Sequence, residues 1–409
     1  MTTVVHPGDS LSSRQRFVYI IVLGALTALG PFTIDLYLPA FPVVEDDLHA
    51  SVAAIQLTLT ATSIGFALGQ LIVGPWSDKV GRRLPLIVAT ALHIAASLGI
   101  VFAPTVEWVG VLRVLQGVGA AGGGVVAVAM VRDLFGGLPL VRMMSRLSLV
   151  NGLAPIIAPV IGSQLLRIVD WRGIFVFLGA YGVLVILAAF FFLVETQPKA
   201  RRNDLGHRTA RERYRSLFSD RVYVGVIIVA GMTFTGLFAY LTSSSFLFQQ
   251  VYKYSAQEFG FLFAINAVAV VIGVQSSSRL ARIVGPQWIL LGAVITMLLA
   301  ASTIVALDAA GLGLAGILAP LWFFILACGF AFPCQQVLAI DGHAGEAATA
   351  ASLMGAVNFG LAGLLSPIVG LFGVHNAIAM GGMMMATSVV SITIILTLVR
   401  PRSVPALSR

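Results

Sequence analysis

Long apolar runs, broken by short polar turns, set the pattern of this chain. Crossing the hydrocarbon core of a bilayer takes a helix of about 20 apolar residues. Twelve spans meet that requirement, at 16–40, 52–74, 84–103, 108–131, 144–166, 173–194, 222–247, 258–278, 287–307, 314–336, 347–371 and 376–399. Most breaks between them are hairpin-sized. The longest polar stretch, Glu195 to Arg221, falls near the chain midpoint. The pattern predicts an all-α integral membrane protein with twelve transmembrane helices in two pseudo-symmetric six-helix bundles. The first bundle is expected over 1–194, a linker over 195–221 and the second bundle over 222–409. The halves echo each other weakly. Ala158-Pro159-Val160-Ile161-Gly162 recurs as Ser366-Pro367-Ile368-Val369-Gly370, 208 positions later. The basic turn around Gly81 has a degenerate counterpart around Gly285, 204 positions later. Duplicated bundles of this kind are typical of secondary transporters, whose binding sites lie near the bilayer midplane between the repeats.

Composition agrees with the pattern. Of 409 residues, 58% are hydrophobic and 10% charged, too little polar surface for a soluble chain of this length. The net charge of +8 would suggest nucleic acid in a soluble protein, but its placement gives another reason. With the N-terminus inside, 21 of the 25 Lys and Arg residues fall on the inner side. Arg167, Arg172 and Lys253 stay outside, and Arg113 lies within the fourth span. By the positive-inside rule both termini are expected in the cytoplasm, and no nucleic-acid partner is needed. The polar N-terminus has no small-residue cleavage site after a short apolar core, so no removable signal peptide is expected. Cys328 and Cys334 would be about 9 Å apart along one helix, beyond disulfide reach, and read as buried thiols. No Cys/His grouping has metal-ligand spacing, and no cofactor or metal is expected.

Two intramembrane charges carry the chemistry. Asp35 closes the first span, where an ionised carboxylate is costly and points to function. The plainer alternative is an Asp at the helix end, solvated by headgroups. Arg113 lies inside the fourth span, and its burial unpaired would be very costly. Asp35 is the expected counter-charge, directly or through Gln116 and water. Burial would favour a protonated carboxyl and a nearby guanidinium an ionised one. A change in their separation between two conformations would therefore couple a proton to the cycle. A static ion pair is the alternative.

At the other end of the spans, Gly74, Asp78, Gly81, Arg82 and Arg83 lie in one tight basic turn. Such a turn can pair charges across helix ends and set Asp78 at a helix N-terminus. A gating latch between the halves is expected, against a simple basic anchor. In the fifth span, Pro155 and Pro159 with Gly152 and Gly162 form a kinked, close-packed hinge. Gly117-Val118-Gly119-Ala120-Ala121-Gly122 matches a nucleotide-binding fingerprint only formally, since no strand precedes it, and reads as helix packing.

These stretches also resemble a known family. Gly74-Pro75-Trp76-Ser77-Asp78-Lys79-Val80-Gly81-Arg82-Arg83 is similar to the loop motif of the major facilitator superfamily. Arg113-Val114-Leu115-Gln116-Gly117 resembles its fourth-span motif, and Asn151-Gly152 through Pro159-Val160-Ile161-Gly162 the fifth-span motif of its drug:proton antiporters. Asp35-Leu36-Tyr37-Leu38-Pro39-Ala40, Asp170-Trp171-Arg172, Glu195-Thr196, Gly236-Leu237-Phe238 and Phe246 narrow the resemblance to the bicyclomycin/chloramphenicol-resistance branch. The resemblance implies a monomeric carrier in a bacterial inner membrane. It would export a small lipophilic drug in exchange for protons, with Asp35 and Arg113 in proton coupling.

The residues expected to bind substrate are Asp35, Tyr37, Gln56, Arg113, Gln116, Asn151, Phe238, Tyr240, Asn266 and Asn358. Phe234, Phe246, Phe261 and Phe263 are expected to add aromatic walls. A cavity with few polar groups suits lipophilic substrates. Leu26-Thr27-Ala28 lacks the second acidic residue of some related exporters, so neutral or weakly charged drugs are expected. Two other readings stay open: a proton-coupled carrier of an amphipathic metabolite, and a membrane-embedded enzyme or receptor.

Overall fold

The computed structural model describes residues 8, 11–197, 210–340, 343, 347–373 and 376–404. Every regular element among them is helical. The first half contains α1 (Ser13–Asp35), the short α2 (Phe41–Asp47), α3 (Val52–Val80), α4 (Arg83–Val101), α5 (Val106–Leu134), α6 (Gly137–Leu165) and α7 (Trp171–Phe192). A polar helix α8 (Ala210–Ser219) precedes the second half. That half contains α9 (Arg221–Phe246), α10 (Ala256–Val284), α11 (Pro286–Ala309), α12 (Gly313–Ile340), α13 (Ala347–Leu365), the single turn α14 (Ile368–Leu371) and α15 (Ile378–Ile394). Among the described residues, eleven helices are long and apolar enough to span a bilayer. The twelfth expected span is α6, a continuous helix whose apolar described portion is Leu153–Leu165.

Local chemistry sets where these helices begin and end. Ser12 and Gln15 form a reciprocal cap on α1, and Ser255 and Glu258 do the same on α10. Ser51, Asp170 and Asp220 each accept a bond from a free N–H in the first turn of the next helix. α3 stops at Gly81, whose φ of 103° suits a residue without a Cβ. α10 stops the same way at Gly285, with φ 90°. The weak sequence echo between the two turns is therefore a repeated backbone device.

Close packing repeats as well. In the first half, α3 and α5 meet where Gly65 faces Gly117, and a Cβ at Gly117 would lie 3.1 Å from the Gly65 Cα. In the second half, Gly273 of α10 faces Gly329 of α12, and a Cβ at Gly329 would lie 3.0 Å from the Gly273 Cα. Counted from the stops at Gly81 and Gly285, Gly273 matches Gly69, which packs against Val118 and Ala121 of α5 one turn along from Gly65. Lipid offers no hydrophobic reward for helix pairing, so small residues that bring backbones together do that work. Gly119 packs against Ala89 and His93 of α4 in the same way, and the glycine-rich run of α5 is a packing surface.

Successive spanning helices alternate in direction. One end of the bundle, here the Asp35 end, gathers the C-terminal ends of α1, α6 and α9 and the start of α3 and α10. The other, the Asp78 end, gathers the turn between α3 and α4, the end of α5, residues after α7, and the start of α9.

Candidate functional site

At the Asp35 end the two halves are sealed together. The chain after α1 is fully enclosed from Leu36 to Phe41, except Pro39, which is also buried. On the opposing wall, Ser243 to Phe248 of the α9 end are buried too. Ser245 Oγ donates to the Leu38 carbonyl at 2.6 Å, Gln249 Nε2 to the Pro39 carbonyl at 3.1 Å, and Gln250 Nε2 to Glu45. Phe41 and Phe246 rings pack at 5.6 Å. Gln56 Nε2 donates to the Thr242 carbonyl at 3.1 Å, and Gln257 Nε2 to the Ser163 carbonyl at 2.7 Å. These five hydrogen bonds all join the two halves at this end. Gln56 and Phe246, expected in the cavity, thus stand in the seal.

Beneath the seal is a mixed polar and aromatic site. Asp35 is buried and within electrostatic range of the Tyr240 hydroxyl on the other half. Asn266 Nδ2 donates to that hydroxyl at 3.2 Å, and Phe263 stacks on the Tyr240 ring at 5.5 Å. Phe234, Phe238, Phe332 and Phe359 form a connected cluster of the second half, and Phe66 of α3 stacks on Phe359 at 4.8 Å. Asn358 places an enclosed Oδ1 with no described partner in the adjoining turn of α13. Phe66, Phe332 and Phe359 were not singled out by sequence. Phe261 is 69% exposed and faces outward, so it lines no cavity. Its neighbour Phe263 turns in because successive helical residues are about 100° apart.

Arg113 corrects an expectation. No ion pair joins it to Asp35. Its Nη1 donates to the Thr33 carbonyl at 2.8 Å and to Gln116 Oε1 at 2.8 Å. Its guanidinium lies 4.8 Å from the centre of the Tyr37 ring and 5.8 Å from that of Phe175. Aromatic faces and a carbonyl thus replace the expected carboxylate, in keeping with the attraction of a desolvated guanidinium for ring faces. Gln116 Nε2 passes the chain on to Ser97 Oγ at 2.8 Å. Tyr37 and Gln116 are therefore neighbours of Arg113 within the first half, while Asp35 addresses the second half. Arg113 Nε and Nη2 have no described partner.

α6 runs through both Pro155 and Pro159 without a break. Gly162 sits against the Leu36 backbone, with only 3.3 Å to the Leu36 Cα from where a Cβ would stand. Gly260 of α10 approaches α6 from the other half, where a Cβ would lie 3.1 Å from the Pro159 carbonyl oxygen. Gly162 lets α6 lie against the backbone that follows Asp35. Asn151 and Gly152 lie on the same helix, outside the residues whose side chains are described. Gly162→Val is expected to destabilise the protein by about 1–3 kcal/mol through overpacking and to slow transport. Gly124→Val, where the space is open, provides the control. Equal melting midpoints and rates for the two variants would remove Gly162 from this role.

The Asp78 end holds a denser charge cluster than the sequence suggests. Arg82 bonds Asp78, Ser77 Oγ at 2.9 Å and Asp133 of α5 at 2.8 Å. Burial pulls the Arg82 pKa down, but the bonds and charges of Asp133 and Asp78 outweigh it and leave the pKa raised. The Glu195 carboxylate accepts from the backbone N–H of Arg82 at 2.9 Å and of Arg83 at 3.2 Å, capping the start of α4. Arg83 reaches the Phe190 carbonyl at 2.6 Å. Thr196 bonds Asp133, and Gln197 Nε2 donates to the Asp78 carbonyl. Gly74 faces Val125 of α5 at ordinary contact distance. All these partners belong to the first half or to the residues directly after α7. At the other end, Asp47 accepts from Trp171 Nε1 at 3.0 Å and from Arg172 at 2.7 Å, which gives the Asp170-Trp171-Arg172 run a structural purpose.

Comparison with known proteins gives consistent findings. The family model described as Major Facilitator Superfamily matches residues 23–367. A Bacillus subtilis protein named "Uncharacterized MFS-type transporter YdgK" is 33% identical, covering 93% of this chain and 94% of its own. A Haemophilus influenzae "Bicyclomycin resistance protein homolog" is 31% identical, covering 93% and 95%. The Escherichia coli "Multidrug resistance protein MdtL" is 26% identical, covering 95% and 97%. Among solved structures, a D-xylose-proton symporter superposes with a TM-score of 0.74 at 16% identity, over 96% of this chain and all of that one. The last likeness concerns the fold alone.

Proposed function

The chain belongs to the Major Facilitator Superfamily, and from that premise we propose that it exports small lipophilic drugs in exchange for protons. The drugs would be phenicol-like or bicyclomycin-like. The observation that carries this reading is the placement of Asp35. A buried carboxylate, with no ion pair among the described residues, lies within electrostatic range of Tyr240 on the other half, whose hydroxyl Asn266 also bonds. An ionised group there is costly unless it gains a proton or a partner. Drug entry and proton binding can therefore compete for one site, which is the basis of exchange. Phe234, Phe238, Phe332, Phe359 and Phe66 supply apolar walls, with Asn266, Asn358 and Tyr240 giving orientation. A neutral or weakly basic drug suits that balance.

Alternating access would rock residues 1–194 against 222–409, with 195–221 as the connecting segment. The seal at the Asp35 end is one closed gate. The Asp78–Arg82–Asp133 cluster with Gly74, Gly81 and Arg83 would steady the first half near the other gate. Gly152, Pro155, Pro159 and Gly162 would serve as the hinge. Arg113, held over Tyr37 and joined to Gln116, would tune the Asp35 site in a state that brings them closer. Asn151 completes the set of residues assigned to the substrate path. Placing the basic Asp78 end in the cytoplasm follows from charge asymmetry and puts both termini inside a bacterial cytoplasmic membrane. The names of the bicyclomycin-resistance and multidrug-resistance relatives support the drug class.

Purified protein in liposomes under an imposed pH gradient tests this reading, with chloramphenicol, florfenicol, bicyclomycin and a lipophilic cation as substrates. Drug should move against the proton gradient and stop when a protonophore collapses it. Drug movement indifferent to the protonophore, or none for any compound, would overturn the proposal.

A further inference from the structure

α10 presents a continuous apolar stripe on its outer surface, where Phe261, Ile265, Val268 and Ile272 are all exposed. A membrane helix carries such a stripe where it meets lipid. Toward the Asp78 end the stripe changes character. Gln275, Ser276 and Arg279 occupy the same face before Leu280 and Ile283 resume it. With Phe330 of α12, these residues line a cleft of about 500 Å³. Its floor is fixed by the close approach of Gly273 to Gly329 and by Ser277 Oγ, which donates to the Phe330 carbonyl at 2.9 Å.

The first half shows what this surface looks like without polar groups. Counted from the shared stops at Gly81 and Gly285, 204 positions apart, Gln275, Ser276 and Arg279 correspond to Leu71, Ile72 and Pro75, all exposed and apolar. Plain lipid contact is satisfied there by leucine, isoleucine and proline. The second half instead spends a cation and two hydrogen-bonding side chains on the same face. Arg279 is exposed and has no ion pair or hydrogen bond among the described residues. Its charge lies at the basic end of the bundle, where acyl chains give way to headgroups.

The geometry points to a binding site for one anionic phospholipid, with its phosphate at Arg279, Gln275 and Ser276 and its acyl chains along the α10 stripe. The occupant follows from the lining. A free phosphate would satisfy Arg279 but leave Leu280, Ile283 and Phe330 wet, whereas a lipid covers both parts. A zwitterionic lipid brings its own ammonium group, which competes with Arg279 for the phosphate.

The test uses full-length protein in bilayers of phosphatidylcholine with about one part in five phosphatidylglycerol. Protein is extracted into mild detergent, and retained phosphatidylglycerol is counted by native mass spectrometry. Wild type should keep one tightly held molecule. So should Arg402→Gln, which removes an exposed cation from the same end. Arg279→Gln should weaken retention about fivefold, the worth of one basic residue at an anionic surface. Ser276→Leu, apolar like Ile72 at the matching place of the first half, should weaken it with the charge intact, and Arg279→Lys should restore most of it. Equal retention in wild type, Arg279→Gln and Ser276→Leu would overturn the site. Displacement of the lipid by inorganic phosphate at matched concentration would also overturn it, since the cleft would then recognise phosphate alone.

Discussion

Asp35→Asn is expected to abolish drug movement driven by a pH gradient, down to the level of protein-free liposomes. The substitution is close to isosteric, so packing under the Leu36–Phe41 seal should survive. The amide keeps a polar group of the same shape, but it cannot take up and release a proton. Coupling, rather than drug binding, is the step removed. Drug binding should stay within a few fold of wild type, and drug–drug exchange without a gradient should continue. The melting midpoint should be equal or higher, because an unpaired ionisable group has left a low-dielectric site. Asp35→Glu keeps the carboxyl but extends it, and should retain part of the coupled activity. Efflux by Asp35→Asn at the wild-type rate would assign the coupling proton elsewhere. Loss of exchange together with efflux would instead make Asp35 a residue of the conformational change.

The geometry makes this a strong test because Asp35 and Arg113 are separate here. A permanent ion pair would leave the carboxylate little reason to take a proton at all. As found, Arg113 is held by the Thr33 carbonyl, Gln116 and the Tyr37 ring, while Asp35 has no bond to it and lies within electrostatic range of Tyr240. A swing of α1 relative to α5 could bring the two together. The coupling proposed here needs that second arrangement, and Asp35→Asn removes the group that would respond to it.

Much of the fold was legible in the sequence because a bilayer tolerates so few solutions. Apolar run lengths gave the spans, and the Gly65 and Gly273 contacts show that the weak repeat reflects a repeated packing scheme. Helix rotation was not legible. Gln56 and Phe246 have the chemistry of cavity residues, yet both turn into the seal. Phe261 and Phe263, two positions apart, face lipid and Tyr240 respectively. Long-range partners were hidden for a different reason. Asp133 and Glu195 both complete the basic turn, but each arrives from a remote helix end. Their signal was positional: each is a carboxylate just beyond an apolar run, at the end of the bundle that carries Arg82. Phe66 and Phe359 gave no such signal, since an aromatic in an apolar span is as common against lipid as in a cavity.

The second large effect is expected at that basic turn. Arg82→Met should cost about 3 kcal/mol of stability and most of the transport activity, because it leaves acidic groups without their cation. Asp133 is the sensitive one, its side chain being only 13% exposed, whereas Asp78 is 42% exposed and can rely on water. Asp133→Asn alone should also destabilise, since it leaves the Arg82 guanidinium short of a charge at a buried position. Combined, the two changes remove both charges, and the double variant should be clearly more stable than the sum of the single losses predicts. Coupling of about 1–3 kcal/mol is expected for groups in one hydrogen-bonded network. Asp78→Asn in the Arg82→Met background should recover less, because the Asp78 carboxylate was never fully desolvated. Purely additive losses for Arg82 and Asp133 would show that the two side chains do not act as a unit. If the double variant recovers stability but not transport, the charges themselves serve the conformational cycle. If both recover, the cluster is a structural brace that anchors α3, α4, α5 and the segment after α7 while other contacts carry the motion.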